Sequence, residues 1–143
     1  MCTFFTTQKT NYAALIVRLA LGVVFFPHGL QKAFGMFGGP GIDGTLGFMG
    51  SMGVPSIITF LVILAESVGA LGLILGFLTR FCAASIALVM IGAVALVHAK
   101  NGFFMPMGFE YHILAIGMAL SLVVTGGGAW SIDGWIATTW KKK

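Results

Sequence analysis

Four long apolar runs alternate along the chain with shorter segments that hold most of its glycine and charged residues. A membrane-spanning helix needs about 20 predominantly apolar residues, and four segments reach or approach that length. These segments are residues 12–33, 54–78, 82–99 and 111–126. The pattern predicts an all-α integral membrane four-helix bundle, in which residues 1–143 form a single transmembrane domain.

The composition excludes a water-soluble globular protein. Hydrophobic residues make up 58% of the chain and charged residues only 8%, whereas a soluble domain has about 25% charged residues. The mean hydropathy is +1.01, so the lipid bilayer is the expected main partner. The formal net charge of +4 comes without a basic stripe or a folded basic module, and we therefore expect no nucleic acid partner.

The basic residues predict the orientation of the bundle. Four crossings place both termini on one side, together with Lys9, Arg80 and the lysine tail at residues 141–143. Lys32 and Lys100 fall on the other side. Because lysine and arginine accumulate on the cytoplasmic face of membrane proteins, we expect both termini in the cytoplasm.

Two residues interrupt the first apolar run. Arg18 lies inside it, and no small-x-small cleavage site follows, so we expect the run to be retained and not removed as a signal peptide. Pro27 lies near its end. A proline frees a backbone carbonyl in the preceding turn, which predicts that the helix kinks or ends there.

The two loops on the side opposite the termini are unusually apolar. Residues 34–53 are rich in glycine, methionine and phenylalanine, and residues 45–52 predict either a short interfacial helix or a plain loop. Residues 100–110 are rich in phenylalanine and methionine. Both loops either cap the bundle against lipid or form an apolar mouth for a lipophilic ligand. The expected markers of the opposite interface are Trp130, Trp135 and Trp140.

Polar side chains within the apolar runs are the candidate functional residues. Glu66 is the only charged residue in its run and falls near the midplane, where a carboxyl group is costly and usually has a partner. Arg18 lies about 9 Å from the inner end of the first run and could form an ion pair with Glu66. At 1.5 Å of rise per residue, all three histidines converge on one level, at the side opposite the termini. These are His28, His98 and His112, with Lys32, Lys100 and Glu110 at the same level.

Each member of this polar level also has a structural alternative. A histidine at an interface is commonly an amphipathic belt residue, and Lys32 and Lys100 can extend their side chains to the lipid headgroups. Glu110 can cap the fourth helix, since its charge complements the helix dipole. The convergence of three histidines is harder to attribute to such roles than any one of them, because histidine exchanges protons near neutral pH.

Two kinds of chemistry fit the polar level. A quinone headgroup needs a hydrogen-bond donor at each carbonyl and a route for protons, which histidines, Lys32 and Glu66 supply. Alternatively, His28, His98 and His112 with a carboxylate could bind a metal, or two histidines could bind haem. The chain has no HxxxH or HxxE spacing, and we therefore favour the quinone.

Several strings of the sequence resemble the DoxX family. They are Arg18 with residues 26–32 (FPHGLQK), residues 53–55 (GVP), 65–70 (AESVGA), 76–80 (GFLTR), 126–128 (GGG) and 131–133 (SID). Their order and spacing cover nearly the whole chain, from about Tyr12 to Trp135. The resemblance implies a small four-helix protein of the bacterial inner membrane. It also implies relatives that include the quinone-reducing membrane subunit of thiosulfate:quinone oxidoreductase, with His28, Lys32, Glu66 and Arg80 at recurrent family positions.

Three functional hypotheses follow. The first is a quinone-interacting redox protein, or the membrane subunit of an oxidoreductase complex. In it His28 and Lys32 bind the headgroup, His98 or His112 lies opposite, and Glu66 relays protons or holds Arg18. The second is a non-enzymatic scaffold that docks a soluble redox partner through the first loop or the lysine tail. The third is a small transporter gated by Glu66 and Arg18, which would require a homo-oligomer.

Overall fold

A computed structural model describes residues 7, 8 and 10–140 of the chain, with the backbone alone at Trp140. Lys9 and the tail at residues 141–143 lie outside the described residues. The described part is helical and contains no strand, which confirms the all-α class. The helices are α1 (Tyr12–Phe34), α2 (Gly41–Ser51), α3 (Ser56–Leu75), α4 (Thr79–Asn101), α5 (Glu110–Thr125) and α6 (Ile132–Trp140).

Within the described residues, three helices are long and apolar enough to cross a membrane, namely α1, α3 and α4. The fourth predicted crossing corresponds to α5, which is shorter, with 16 residues. Compared with the predicted segments, α3 begins two residues later and ends three residues earlier, whereas α4 begins three residues earlier and ends two residues later. That the whole chain forms a single transmembrane domain stays a prediction.

Helix α1 begins and ends at recognisable caps. The side chain of Asn11 accepts a hydrogen bond from the Ala14 amide at 3.0 Å, and Gly35 ends the helix in a left-handed conformation with φ of 68°. Of the two alternatives at Pro27, a kink or an end of the helix, the end is excluded, because α1 continues to Phe34, one residue beyond the predicted segment. Proline is tolerated inside membrane helices, where neighbouring groups satisfy the carbonyl that it frees.

Two helices contain π-helical segments. One occupies Ala65–Gly69 in the middle of α3, and the other occupies Val94–His98 near the end of α4. A π segment inserts an extra residue into a turn and is frequent at functional sites. In this protein the two segments carry Glu66 and His98, two of the predicted site residues.

The core lies between α1, the second half of α3, α4 and α5. Its fully buried side chains include Phe25, Leu73, Ile86 and Leu122. Large apolar side chains also cover the outside of the bundle, such as Leu88, which is 70% exposed. An outer surface of this kind matches the hydrocarbon of a bilayer, which solvates apolar side chains directly.

The first loop folds as a helix, which decides between the two alternatives for residues 45–52. Helix α2 packs against α1 and α3, and its buried Thr45 donates a hydrogen bond to the Gly41 carbonyl at 2.7 Å. At the opposite end of the bundle, Trp130 is 82% exposed and Trp135 is 69% exposed. The Trp130 ring contacts Tyr12 edge-on, with the ring centroids 6.2 Å apart.

Candidate functional site

A cavity of about 670 Å³ lies among α1, α2, α3, α4 and the start of α5. Its wall is mostly aliphatic, aromatic and methionine side chains. Its polar side chains are His28, Gln31, Lys32, Thr45, Glu66, His98, Tyr111 and His112. The three histidines, Lys32 and Glu66 therefore line the same cavity, although four different helices supply them.

Lys32 and Glu66 form an ion pair in this cavity. The ammonium group of Lys32 donates to Oε2 of Glu66. Glu66 is 3% exposed, whereas Lys32 keeps partial exposure. Gly29 of α1 packs directly on the backbone of the π segment that carries Glu66. This close approach places Lys32, one turn further along α1, beside the carboxylate.

Arg18 does not form the predicted ion pair with Glu66. Lys32 and Arg18 are separated by about 20 Å along α1, and Arg18 lies at the other end of the bundle. Its guanidinium, 1% exposed, donates to five backbone carbonyls, those of Leu73, Ile74, Gly127, Ala129 and Trp130. The Arg18 prediction is therefore corrected: this residue does not line the cavity, and it binds the end of α3 to the glycine turn before α6.

His98 and His112 form a ring pair at one side of the cavity. Their ring centroids are 4.2 Å apart, with 41° between the ring planes. Nδ1 of His98 lies 2.9 Å from the carbonyl oxygen of Met107, and a carbonyl only accepts, so Nδ1 carries the proton. In the neutral ring, Nε2 of His98 is consequently an acceptor. Nδ1 of His112 is buried and has no partner among the described residues.

Tyr111 is a cavity residue that sequence reasoning missed. Its hydroxyl group is buried without a hydrogen-bond partner in the described part of the chain. Its ring packs between Phe25, at 6.4 Å, and His112, at 5.5 Å. Its position next to His112, at the start of an apolar run, could have identified it as a candidate site residue. A tyrosine at such a position is, however, easily interpreted as an interfacial belt residue.

The remaining members of the predicted polar level lie in different places. His28 lines the cavity, and its ring centroid is 6.4 Å from that of Phe25. Glu110 accepts a hydrogen bond from the Met105 amide at 2.9 Å and so holds the preceding loop. Lys100 is exposed and does not line the cavity. The functional roles of the cavity residues stay predictions.

The histidines do not assemble into a metal site. Among the described residues, no group of three or more His, Cys, Asp or Glu side chains is close enough to hold a metal ion. His28, His98 and His112 share a cavity without forming a ligand set. The geometry therefore gives no support to the metal alternative.

The end of the bundle opposite the cavity contains a second group of polar contacts. The carboxylate of Asp133 accepts hydrogen bonds from the amides of Leu78 and Thr79, each at 2.8 Å. These bonds cap the start of α4, where Leu78 adopts a left-handed φ of 47°. Arg80 donates to the carbonyls of Val123 and Val124 at the end of α5. The strings at this end that resemble the DoxX family, residues 76–80 and 131–133, thus make contacts between helix termini.

Comparisons with known proteins identify a family and several relatives. The family model described as DoxX matches residues 13–99. "Putative oxidoreductase CatD" of Bacillus subtilis (strain 168) is 33% identical over 115 residues, which cover 80% of this chain and 81% of the relative. "Inner membrane protein YqjF" of Escherichia coli (strain K12) is 34% identical over 132 residues, covering 91% of this chain and 96% of the relative. "Inner membrane protein YphA" of the same organism is 28% identical over 127 residues, covering 83% and 86%. No solved structure matches the chain significantly.

Proposed function

The chain belongs to the DoxX family of membrane proteins, and from this premise we propose that it binds a quinone headgroup in the cavity described above. In this proposal it is a quinone-interacting redox protein, or the membrane subunit of an oxidoreductase complex, in the bacterial inner membrane with both termini in the cytoplasm. Support comes from the relatives, one of which carries the name "Putative oxidoreductase CatD" and two of which are named inner membrane proteins.

The observation that carries the proposal is a pair of buried polar atoms with no protein partner. The Tyr111 hydroxyl and His112 Nδ1 are both buried without partners among the described residues, and both residues line the cavity. Buried polar groups in folded proteins are nearly always hydrogen-bonded. A ligand that offers hydrogen-bond acceptors at these atoms would complete the site.

A quinone matches this lining. Its ring is flat and apolar, which suits the aliphatic and aromatic wall, and its two carbonyl oxygens accept hydrogen bonds. In the proposal the Tyr111 hydroxyl and the ring of His112 bind one carbonyl, whereas His28 and Lys32 bind the other; the neutral ring of His98 has its proton on the nitrogen that faces Met107 and so offers no donor to a carbonyl. A mostly apolar pocket with a few convergent polar groups is the usual form of a small-molecule site.

The same residues supply the protons for reduction. A quinone becomes a quinol when it gains two electrons and two protons, one proton at each carbonyl oxygen. The electrons come from a soluble redox partner, and the protons pass through Glu66 with Lys32 on one side and through the His98–His112 pair on the other. Positioned histidine and carboxyl groups are the usual proton donors in such steps.

Binding of a short quinone analogue to the purified protein tests the proposal. We expect His28→Ala and Lys32→Ala each to weaken binding by about tenfold, the effect of losing one hydrogen bond to the ligand. The matched control is Lys100→Ala, which removes an exposed lysine that does not line the cavity. Binding that is unchanged in His28→Ala and Lys32→Ala, as in the control, would overturn this site.

A further inference from the structure

The cavity opens sideways between α3 and α4. These two helices pack together at the π segment Ala65–Gly69. Towards the cavity they separate, and within the described residues Ser56–Leu64 makes no comparable packing contact with α4. Helix α2 packs on α1 and α3 and so covers another side of the cavity. Ser56–Leu64 and the end of α4 are therefore not packed against each other on this side of the cavity.

The rim of this opening is apolar. Ile58 of α3 and Leu96 of α4 both line the cavity, and yet they are 44% and 51% exposed. The surface beside them carries further exposed apolar side chains, including Leu61 and Ile91. Polar and charged side chains mark an aqueous path through a membrane protein. An opening with only aliphatic residues at its rim suits hydrocarbon instead.

Five of the eight polar side chains of the cavity come from α1 and α5. Lys32 belongs to α1, and Tyr111 and His112 belong to the start of α5, whereas the rim residues belong to α3 and α4. These two helices also contribute Glu66, which pairs with Lys32 of α1, and His98, whose ring contacts that of His112 on α5. The lining thus changes from mainly polar at α1 and α5 to aliphatic between Ile58 and Leu96. This arrangement fits a molecule with a compact polar head and a long hydrocarbon tail, its head at the ion pair and its tail at the rim.

We infer that the cavity takes an isoprenoid-tailed quinone directly from the bilayer, with the ring inside and the tail leaving between Ile58 and Leu96. The inference rests on the proposed function and adds the substrate class and the route. A bilayer phospholipid is the competing tailed molecule, and it carries an anionic phosphate. The cavity offers that phosphate little attraction, because Glu66 already neutralises Lys32.

Gly92 lies one turn before Leu96 on α4, so a side chain added there would narrow the cavity beside the rim. Gly92 itself lines the cavity, and a β-carbon built on it meets nothing within 4 Å. Gly117 on α5 is equally unobstructed, but it is exposed and does not line the cavity. Gly92→Leu therefore places a side chain against the proposed tail, and Gly117→Leu is its matched control.

The test uses the full chain in lipid nanodiscs and two quinones with the same ring. One is tailless, and the other carries a decyl tail that ends in a photoreactive diazirine. We expect light to attach the tailed probe to residues at the rim, chiefly Ile58 and Leu96. We also expect Gly92→Leu to lower this labelling by about tenfold while the tailless quinone binds as in the wild type. Gly117→Leu should change neither result.

Three outcomes would overturn the inference. The first is labelling spread over the lipid-facing surface of α5. The second is labelling of the rim that Gly92→Leu leaves unchanged. The third is equal labelling of the rim by a diazirine phospholipid that excess tailless quinone does not displace, which would make the occupant a bilayer lipid. If Gly92→Leu fails to fold, the positions that the tailed probe labels in the wild-type protein still test the inference.

The same experiment separates this inference from the proposed function. If the tailless quinone binds and the tailed probe labels other surfaces, the quinone site stands and lateral access fails. If neither quinone binds the wild-type protein, the proposed function itself fails, and the inference fails with it.

Discussion

Gly29 lies so close to the peptide group of Glu66 that a β-carbon at position 29 would fall 2.5 Å from the Glu66 carbonyl oxygen. Real β-carbons do not approach backbone atoms to this distance, so only glycine fits. The contact holds α1 against the π segment of α3, and it thereby sets the position of the buried carboxylate relative to Lys32. One glycine thus connects helix packing with the geometry of the cavity.

Gly29→Ala should destabilise the protein. Alanine normally favours a helix interior by about 0.5–1 kcal/mol over glycine, but here its methyl group must displace backbone, and overpacking costs about 1–3 kcal/mol. We expect a net loss of roughly 2 kcal/mol in the free energy of unfolding, measured by denaturation in detergent. Gly117→Ala, where the new β-carbon meets nothing within 4 Å, should be neutral or stabilising. Equal effects of the two substitutions would contradict this account.

Arg18→Lys should be severely destabilising although the charge is kept. The planar guanidinium of Arg18 reaches five carbonyls at once, whereas a lysine ammonium offers three donors from one point. Buried carbonyls left without partners cost about 1–3 kcal/mol each. We therefore expect the free energy of unfolding to fall by about 3 kcal/mol in the same denaturation assay.

The comparison for that substitution is Arg80→Lys. Arg80 is only partly buried and bonds to the carbonyls of Val123 and Val124. We expect less than half the loss seen at Arg18, because solvent can replace the missing donors. A similar loss at the two positions would show that the number of carbonyls bound is not the reason for the effect.

The sequence predicted the crossing helices and the level of the histidines, because both depend on properties that are local. Helix rise is constant, so depth follows from counting residues along a run. On this basis His28, His98 and His112 were placed at one level, and the structure brings them to one cavity. Apolar length likewise predicted α1 and α3 closely.

The same counting gave the wrong partner for Glu66. Arg18 and Lys32 lie on the same helix, and the sequence does not show which of them the carboxylate reaches. The answer depends on the close approach at Gly29 and on the π segment around Glu66, which are properties of packing between helices. Asp133 was likewise noticed only as part of a family string, because its partners at Leu78 and Thr79 are more than fifty residues away.

Asp133→Ala should weaken the junction between α3 and α4. The carboxylate accepts from two backbone amides at the start of α4, and loss of a helix cap costs about 0.5–2 kcal/mol. We expect the free energy of unfolding to fall by an amount near the upper end of that range. Asp133 is only 3% exposed, so water cannot readily take over the hydrogen bonds of its carboxylate. The exposed Asp43 in the first turn of α2 is the control, and Asp43→Ala should change the unfolding free energy by less than about 0.5 kcal/mol.

Lys32 and Glu66 should show energetic coupling in a double-mutant cycle. Lys32→Met leaves a buried carboxylate without its partner and should cost roughly 2 kcal/mol, a value reduced by the partial exposure of Lys32. Glu66→Gln should cost less, since Lys32 can extend towards the interface. The double variant should therefore be more stable than the sum of the single losses predicts. A parallel cycle of Lys100→Met with Glu66→Gln should show no coupling, and coupling of equal size in both cycles would contradict the ion pair as its source.

Tyr111→Phe should separate ligand binding from stability. The Tyr111 hydroxyl is buried without a partner among the described residues, so its removal breaks no hydrogen bond within them. Because an unsatisfied buried group is itself unfavourable, the variant should be as stable as the wild type or slightly more stable. Binding of the short quinone analogue should nevertheless weaken by about tenfold, since a donor to the carbonyl is lost.

Tyr12→Phe is the control. Tyr12 lies at the start of α1 with its ring against Trp130, at the end of the bundle opposite the cavity. Its substitution should alter neither the stability nor the binding of the quinone analogue. If Tyr111→Phe lowered stability and left quinone binding intact, the hydroxyl would have a structural role, and the main observation behind the quinone proposal would be lost.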